Sequence, residues 1–110
     1  MRIEIKDKEN FIVMFNEMFN ENKISKINGL SIDSRKIRKN DIYIPIKGSF
    51  CDGHDFINEA LNCGATAVFT EKNISNQNNK IIKIKSITEL INLLAQNWRK
   101  KSKTKIIGIT

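Results

Sequence analysis

Apolar residues recur along this chain at two spacings, and the switches between them mark out its elements. Arg2 to Lys6 alternates and predicts a short strand or a flexible lead-in. From Lys8 to about Asn20, Phe11, Met14, Phe15, Met18 and Phe19 fall three and four apart, the stripe of an amphipathic helix. Glu21 to Asn28 is a polar connection ending at Gly29, and Leu30 to Asp33 predicts a brief strand. Ile42, Ile44 and Ile46 alternate as a third strand; Pro45 inside it cannot donate to a ladder, so that strand is expected at an edge, or bulged or unpaired near its end. Phe56, Ile57, Ala60 and Leu61 then take up helical spacing, with Asp55 as the expected N-cap and Gly64 as the stop. Ala65 to Thr70 is apolar enough for a buried strand, which makes residues 42 to 70 one βαβ unit.

Glu71 to Asn79 is polar, aperiodic and expected as a surface loop. Lys80 to Lys85 alternates Ile82 and Ile84 with lysines, as a half-exposed strand does. Ile87, Leu90, Ile91, Leu94, Ala95 and Trp98 form the apolar face of a second strong helix, opened by a capping box from Ser86 to Glu89. Trp98 is expected as a core anchor or a domain-interface residue. Ile106, Ile107 and Ile109 repeat a strand pattern with nothing after them to pack the far end, which predicts a piece of a longer protein. These elements predict an α/β fold: a small mixed β-sheet with packed helices, in two or three layers.

Composition narrows the functional classes. At 110 residues the chain fits one domain, and its hydrophobic share of 40% is ordinary for a globular protein. No apolar run approaches the roughly 20 residues of a membrane span, and Met1 to Asn10 lacks the unbroken apolar segment of a signal peptide, so the expected location is cytoplasmic. Cys51 and Cys63 form no Cys-x-x-Cys pair, and the chain has one histidine; neither a metal cluster nor a disulfide framework is suggested. Nineteen basic against twelve acidic side chains give a net charge of +7. The lysines are scattered, no aromatic interleaving suits base stacking, and the densest basic cluster, Arg99 to Lys105, lies where a helix ends and cations are favoured. A solvated basic face that steers an anion accounts for the charge better than nucleic-acid binding does.

Candidate chemistry concentrates in two loops. Lys47 to Asp55, reading Lys-Gly-Ser-Phe-Cys-Asp-Gly-His-Asp, joins a strand to a helix. Such loops lie at the carboxyl ends of strands, where ligands bind in open α/β sheets. Gly48 and Gly53 let its backbone approach a ligand closely, and the loop is expected to grip a phosphate-bearing small molecule. Asp33, Ser34 and Arg35 end an earlier strand. Either Asp33 and Ser34 merely organise a turn with Arg35 on the surface, or the hydroxyl and guanidinium meet a carbonyl, imide or phosphate. His54 with Asp52 and Asp55 could be drawn as a proton relay, but a histidine fixing its loop by hydrogen bonds is the better account, since a lone His beside acids is common. No Gly-x-x-x-x-Gly-Lys-Ser/Thr loop, Gly-x-Ser-x-Gly elbow or metal-ligand pair is present, so no catalytic constellation emerges.

The ordered set Ser31-Ile-Asp-Ser-Arg35, Asp41-Ile-Tyr-Ile-Pro-Ile-Lys-Gly48, Asp52-Gly-His-Asp-Phe56 and Gly64-Ala-Thr-Ala67 resembles the N-terminal domain of the Mur ligases. The branch concerned extends UDP-N-acetylmuramoyl peptides in cell-wall synthesis. The resemblance covers most of the chain from Asn28 onward and implies a domain that holds the uridine diphosphate end of the substrate. It places uridine contacts at Ile32 and Ser34, and at Ser49, Phe50 and Cys51 after the Lys47-Gly48 step, with Arg35 and Lys47 holding the motif or attracting the diphosphate. Asp33, Asp52, Gly53, His54 and Asp55 are expected to structure the loops. Ser-Phe-Cys in the variable part of the loop departs from the family pattern and implies backbone or stacking contacts there. Residues 1–104 would be the recognition domain, and 105–110 the first strand of an ATPase domain. ATP and magnesium would then belong to the central and C-terminal domains of the parent, which would form an acyl phosphate for an amine to attack; residues 1–110 alone would bind without catalysing. The helix ending Ala95-Gln-Asn-Trp-Arg99 looks more like the D-alanyl-D-alanine-adding member of the branch than the diamino-acid-adding one.

Overall fold

The structure, a computed structural model, describes residues 2–46, 56–72 and 78–101. In chain order these hold β1 (Arg2–Glu4), α1 (Lys8–Met18), β2 (Gly29–Ser31), a 3-10 turn (Ser34–Lys36), β3 (Ile42–Tyr43), α2 (Ile57–Asn62), β4 (Ala67–Thr70), β5 (Ile81–Lys83) and α3 (Ile87–Lys101). Among the described residues the strands form one sheet in the order β1-β2-β3-β4-β5. β1 pairs antiparallel with β2, while β2, β3, β4 and β5 run parallel, so the sheet is mixed as the sequence predicts.

Side chains of a strand alternate between faces, and here both faces are covered. Ile42, Ile44, Ala67, Phe69 and Ile82 point to one side, where Phe11, Met14 and Phe15 of α1 and Ile87, Leu90 and Leu94 of α3 complete the larger core. Tyr43 and Val68 point to the other, against Ile57 and Ala60 of α2, with Ile37 and Phe56 packed around them. This produces three layers and explains why all four residues of β4 are buried. The aromatic stripe of α1 is core, as its spacing predicts. Phe15 and Phe19 lie 6.0 and 5.2 Å from the ring of Phe69, and Trp98 meets Phe11 edge-on at 5.7 Å, tying α3 to α1.

Two local expectations need correction. β3 is the middle strand rather than an edge, and it is shorter than residues 42 to 46. Ladder pairing ends at Tyr43, the Ile44 N–H makes a last bond to the Ser31 carbonyl at 2.9 Å, and buried Pro45 follows where no donor is required. The break near the strand end, rather than an edge position, is how the proline is accommodated. α2 begins at Ile57, so the N-cap position falls to Phe56, which makes no side-chain cap bond, and not to Asp55, which lies outside the described residues. The helix does stop at Gly64, whose φ of +95° suits a residue without a Cβ. The strand expected at 105–110 also lies outside the described residues.

Glu71, assigned by the sequence pattern to a surface loop, has a structural task. Its carboxylate accepts the Ile87 N–H at 2.7 Å, so the end of β4 caps the start of α3. The Ser86 hydroxyl accepts the Glu89 N–H at 3.3 Å and supplies the local part of the cap.

Candidate functional site

β2, β3 and β4 run parallel, so their carboxyl ends open onto one edge of the sheet. The chain leaving β2 is shaped at once by Ser31, a buried residue whose hydroxyl donates to the Asp33 carbonyl at 2.9 Å and accepts the Asp33 N–H at 3.1 Å. Asp33 then folds the next residues: Oδ1 accepts the Arg35 N–H at 2.9 Å, and the Arg35 guanidinium donates to both carboxylate oxygens at 3.2 Å. The Lys36 N–H closes the 3-10 turn onto the Asp33 carbonyl at 3.0 Å. The guanidinium of Arg35 and its backbone N–H hold the Asp33 carboxyl down at about 2. At the end of β4, Thr70 repeats the device of Ser31, its hydroxyl donating to the Lys72 carbonyl and accepting the Lys72 N–H.

The structure thus gathers Ile32, Asp33, Ser34 and Arg35 into one turn at the carboxyl edge. The side chain of Arg35 is 86% exposed despite its pairing with Asp33. Ile32, after β2, and Ile46, after β3, leave apolar side chains exposed at that same edge. For Ser34 the backbone, not the side chain, is described. Lys47, Gly48, Ser49, Phe50, Cys51, Asp52, Gly53, His54 and Asp55 lie outside the described residues; their flanks show that the segment leaves the middle strand and enters α2.

The pattern reading missed an ion pair behind this turn. Asp41, immediately before β3, is fully buried. Arg2 reaches it in a bidentate fork, Nε to Oδ2 at 2.6 Å and Nη2 to Oδ1 at 2.8 Å, while Nη1 donates to Glu4 at 2.6 Å. These hydrogen bonds, that to Asp41 first, raise the Arg2 pKa further above its already high value, and the one from Arg2 lowers that of Glu4. Asp41 Oδ2 also accepts the Arg38 N–H at 2.9 Å. Arg2 and Asp41 are 39 residues apart, beyond the reach of any local pattern. Gly29, read from the sequence as the end of a connection, is the first residue of β2. A Cβ there would lie 2.5 Å from the Ile3 carbonyl oxygen and 3.0 Å from Arg2 Nη2, so the bare backbone of β2 is what lets the guanidinium pass.

A shallow cleft of about 420 Å³ lies beside the turn, lined by Arg2, Arg35, Lys36, Ile37 and Arg38. It looks strongly cationic, but Asp33 pairs with Arg35, and Asp41 and Glu4 with Arg2. The arrangement can attract an anion and present hydrogen-bond donors. Among the described residues no group of three His, Cys, Asp or Glu could hold a metal ion, and the sequence has no Gly-x-x-x-x-Gly-Lys-Ser/Thr loop. No helix among them is long and apolar enough to cross a membrane.

Comparison with known proteins places this geometry. A family model described as "Mur ligase family, catalytic domain" matches residues 26–99, from the end of the first connection to a point late in α3. This chain belongs to the Mur ligase family. It is 35% identical over 95 residues to a UDP-N-acetylmuramoyl-L-alanyl-D-glutamate--2,6-diaminopimelate ligase of Rickettsia typhi, covering 86% of this chain and 19% of that protein. It is 30% identical over 86 residues to the UDP-N-acetylmuramoyl-tripeptide--D-alanyl-D-alanine ligase of Bacillus subtilis, covering 76% of this chain and 19% of the relative. Among solved structures it resembles the MurF ligase of Thermotoga maritima in complex with ADP, with a TM-score of 0.60 and 32% identity over 64% of this chain and 16% of the other. A MurF of Acinetobacter baumannii shares the fold at a TM-score of 0.64 and 15% identity, over 82% of this chain and 21% of the other. The chain spans about a fifth of the length of the curated relatives it matches. The Mur ligase resemblance read from the sequence is therefore correct, and both branches expected appear among its relatives.

Proposed function

We propose that this chain recognises the UDP end of a UDP-N-acetylmuramoyl peptide, as the N-terminal part of an ATP-dependent cell-wall peptide ligase that works in the cytoplasm. The observation that carries the reading is the Asp33–Ser34–Arg35 turn, held by Ser31 and Asp33 at the carboxyl edge of the parallel strands, where β2 lies beside β3. In this reading Ser34 hydrogen-bonds the uridine, and Ile32 with Phe50 flanks the uracil ring. Ser49 and Cys51 contribute loop contacts. Arg35 and Lys47 attract the diphosphate, and Gly48 and Gly53 permit close backbone approach. Asp52, His54 and Asp55 fix the loop. Residues 1–104 form the recognition domain, and 105–110 open the ATPase domain. Central and C-terminal domains of the parent supply ATP, magnesium and the amine, so residues 1–110 bind without catalysing.

The added group is D-alanyl-D-alanine in the first reading, which the Thermotoga MurF likeness supports. A diamino acid is the second, favoured by the 35% identity to the Rickettsia diaminopimelate ligase. Amide NMR titration of the chain with UDP and with a UDP-N-acetylmuramoyl peptide tests the reading: shifts confined to Ser34 and residues 48 to 54 are expected. Ser34→Ala should weaken nucleotide-peptide affinity in the intact ligase. A salt titration separates a nucleic-acid binder, whose affinity would fall steeply through counterion release.

A further inference from the structure

We infer that Arg2 is a positioning residue for nucleotide recognition: its pairing with buried Asp41 locks the β2–β3 crossover and thereby fixes the Asp33–Ser34–Arg35 turn. The inference rests on the recognition role proposed above. Stability alone is a poor account of this pair. Burying a carboxylate and a guanidinium costs desolvation that their attraction only offsets with good geometry, and apolar replacements of such pairs are often at least as stable. The better-attested use of a buried ion pair is to select one arrangement among several, and the contacts here suit that use.

The crossover from Ile32 to Asp41 is clamped at both ends. At its start Ser31 and Asp33 shape the turn. At its end Asp41 receives Arg2 and the Arg38 N–H together, which joins the turn 38–41 to β1. The side-chain amide of Asn28 donates to the Lys39 carbonyl at 2.7 Å, and its backbone N–H donates to the Asn40 carbonyl at 3.0 Å. The Asn40 N–H in turn donates to the Gly64 carbonyl at 2.8 Å. Between the clamps, Ile37 packs against the smaller core. Arg2 and Arg35 line the same cleft, so the lock lies alongside the turn it fixes. Nε, Nη1 and Nη2 of Arg2 are each engaged by a carboxylate, which makes Arg2 a support for the turn rather than a ligand contact. A recognition segment already held in its bound shape loses less freedom on binding, so releasing it weakens affinity without removing any contact to the ligand.

Arg2→Met and Arg2→Lys in the intact ligase test this, with Ser34→Ala as the comparison and a melting temperature recorded for each. Arg2→Met is expected to raise KM for the nucleotide-peptide substrate by about tenfold while KM for ATP and kcat stay unchanged. Arg2→Lys, which keeps the charge but not the fork, is expected to fall between Arg2→Met and the parent. A lowered melting temperature with an unchanged KM for the nucleotide-peptide in both variants overturns the inference, because the pair would then be structural only. If Arg2→Met fails to fold, Arg2→Lys carries the test by the same readout. If Ser34→Ala raises that KM and the Arg2 variants do not, the positioning role alone falls. If Ser34→Ala and the Arg2 variants all leave it unchanged, the recognition role of the turn falls with it.

Discussion

Gly29→Ala is the sharpest test of how β1 is joined to the domain. The added Cβ would sit 2.5 Å from the backbone oxygen of Ile3, 3.0 Å from Nη2 of Arg2 and 3.1 Å from its Cζ. The first contact is with backbone, which no rotamer change relieves. Either the crowding is absorbed in place, as in an overpacked core, at about 1–3 kcal/mol. Or β1, a three-residue strand at the end of the sheet, moves outward and takes Arg2 with it. Asp41 would then be left buried without its partner, a loss of about 3–5 kcal/mol when a buried pair is broken outright. The chain follows the less costly route, so we expect a loss of about 1–3 kcal/mol. Against a stability of about 5–15 kcal/mol for a small domain this is a large fraction. With a urea m-value of about 2 kcal/mol/M it lowers the midpoint by about 1 M. Urea unfolding followed by Trp98 fluorescence and far-UV circular dichroism measures it. In an Asp41→Asn background no charge is stranded when Arg2 withdraws, so Gly29→Ala should cost less there. A midpoint unchanged by Gly29→Ala would refute the close packing of β1 on Gly29, and an equal cost in both backgrounds would confine the effect to the Ile3 contact.

The capped ends of the strands can be tested in the same way. Asp33 has its folded carboxyl held at about 2, below the ordinary 3.8, by Arg35. The stabilisation it contributes is therefore present above pH 3.8 and lost as pH falls through about 2; NMR of its side chain should show that midpoint, and Arg35→Gln should return it toward the ordinary value. Titration of Asp33 at the ordinary value in the unmodified protein would contradict the Arg35 pairing. Glu71→Ala removes the carboxylate that caps Ile87 and should cost about 1 kcal/mol, with faster amide exchange in the first turn of α3; Glu71→Gln, which keeps an acceptor, should cost less.

The net charge of +7 has less bearing on the candidate site than its size suggests. Of the cations lining the cleft, Arg2 is engaged by two carboxylates and Arg35, though exposed, by one, so their pull on an anion is partly offset. The surplus is scattered along the sequence, as the residues of a solvated basic face are. In the recognition role proposed above, selection would come from the fixed shape of the turn, which is why the supports behind it matter.

The helices, the strands and the family were legible in the sequence because the signals that carry them are local. The stripe of Phe11, Met14, Phe15 and Phe19 and the face of Leu90, Leu94 and Trp98 repeat within a helical turn and proved to be core or packed against it, whereas Ile91, read on the same face of α3, is exposed. The alternation around Ile42 and the apolar run of Ala65 to Thr70 announced strands, though not that both faces would be covered, and Gly64 announced the end of α2. The turn at Asp33 was legible as well, since an aspartate folds the chain through bonds to its near neighbours. Tertiary structure decided the rest. Whether β3 lay at an edge depended on which strands came to flank it, and Pro45 could not report that, since the ladder ends just before it. The cap on α3 comes from Glu71, 16 residues away, and the partner of Asp41 from Arg2, 39 residues away. A buried carboxylate and a capping one look alike in a list of residues. Their difference arises only when the packed sheet excludes water and brings a distant donor within hydrogen-bonding distance.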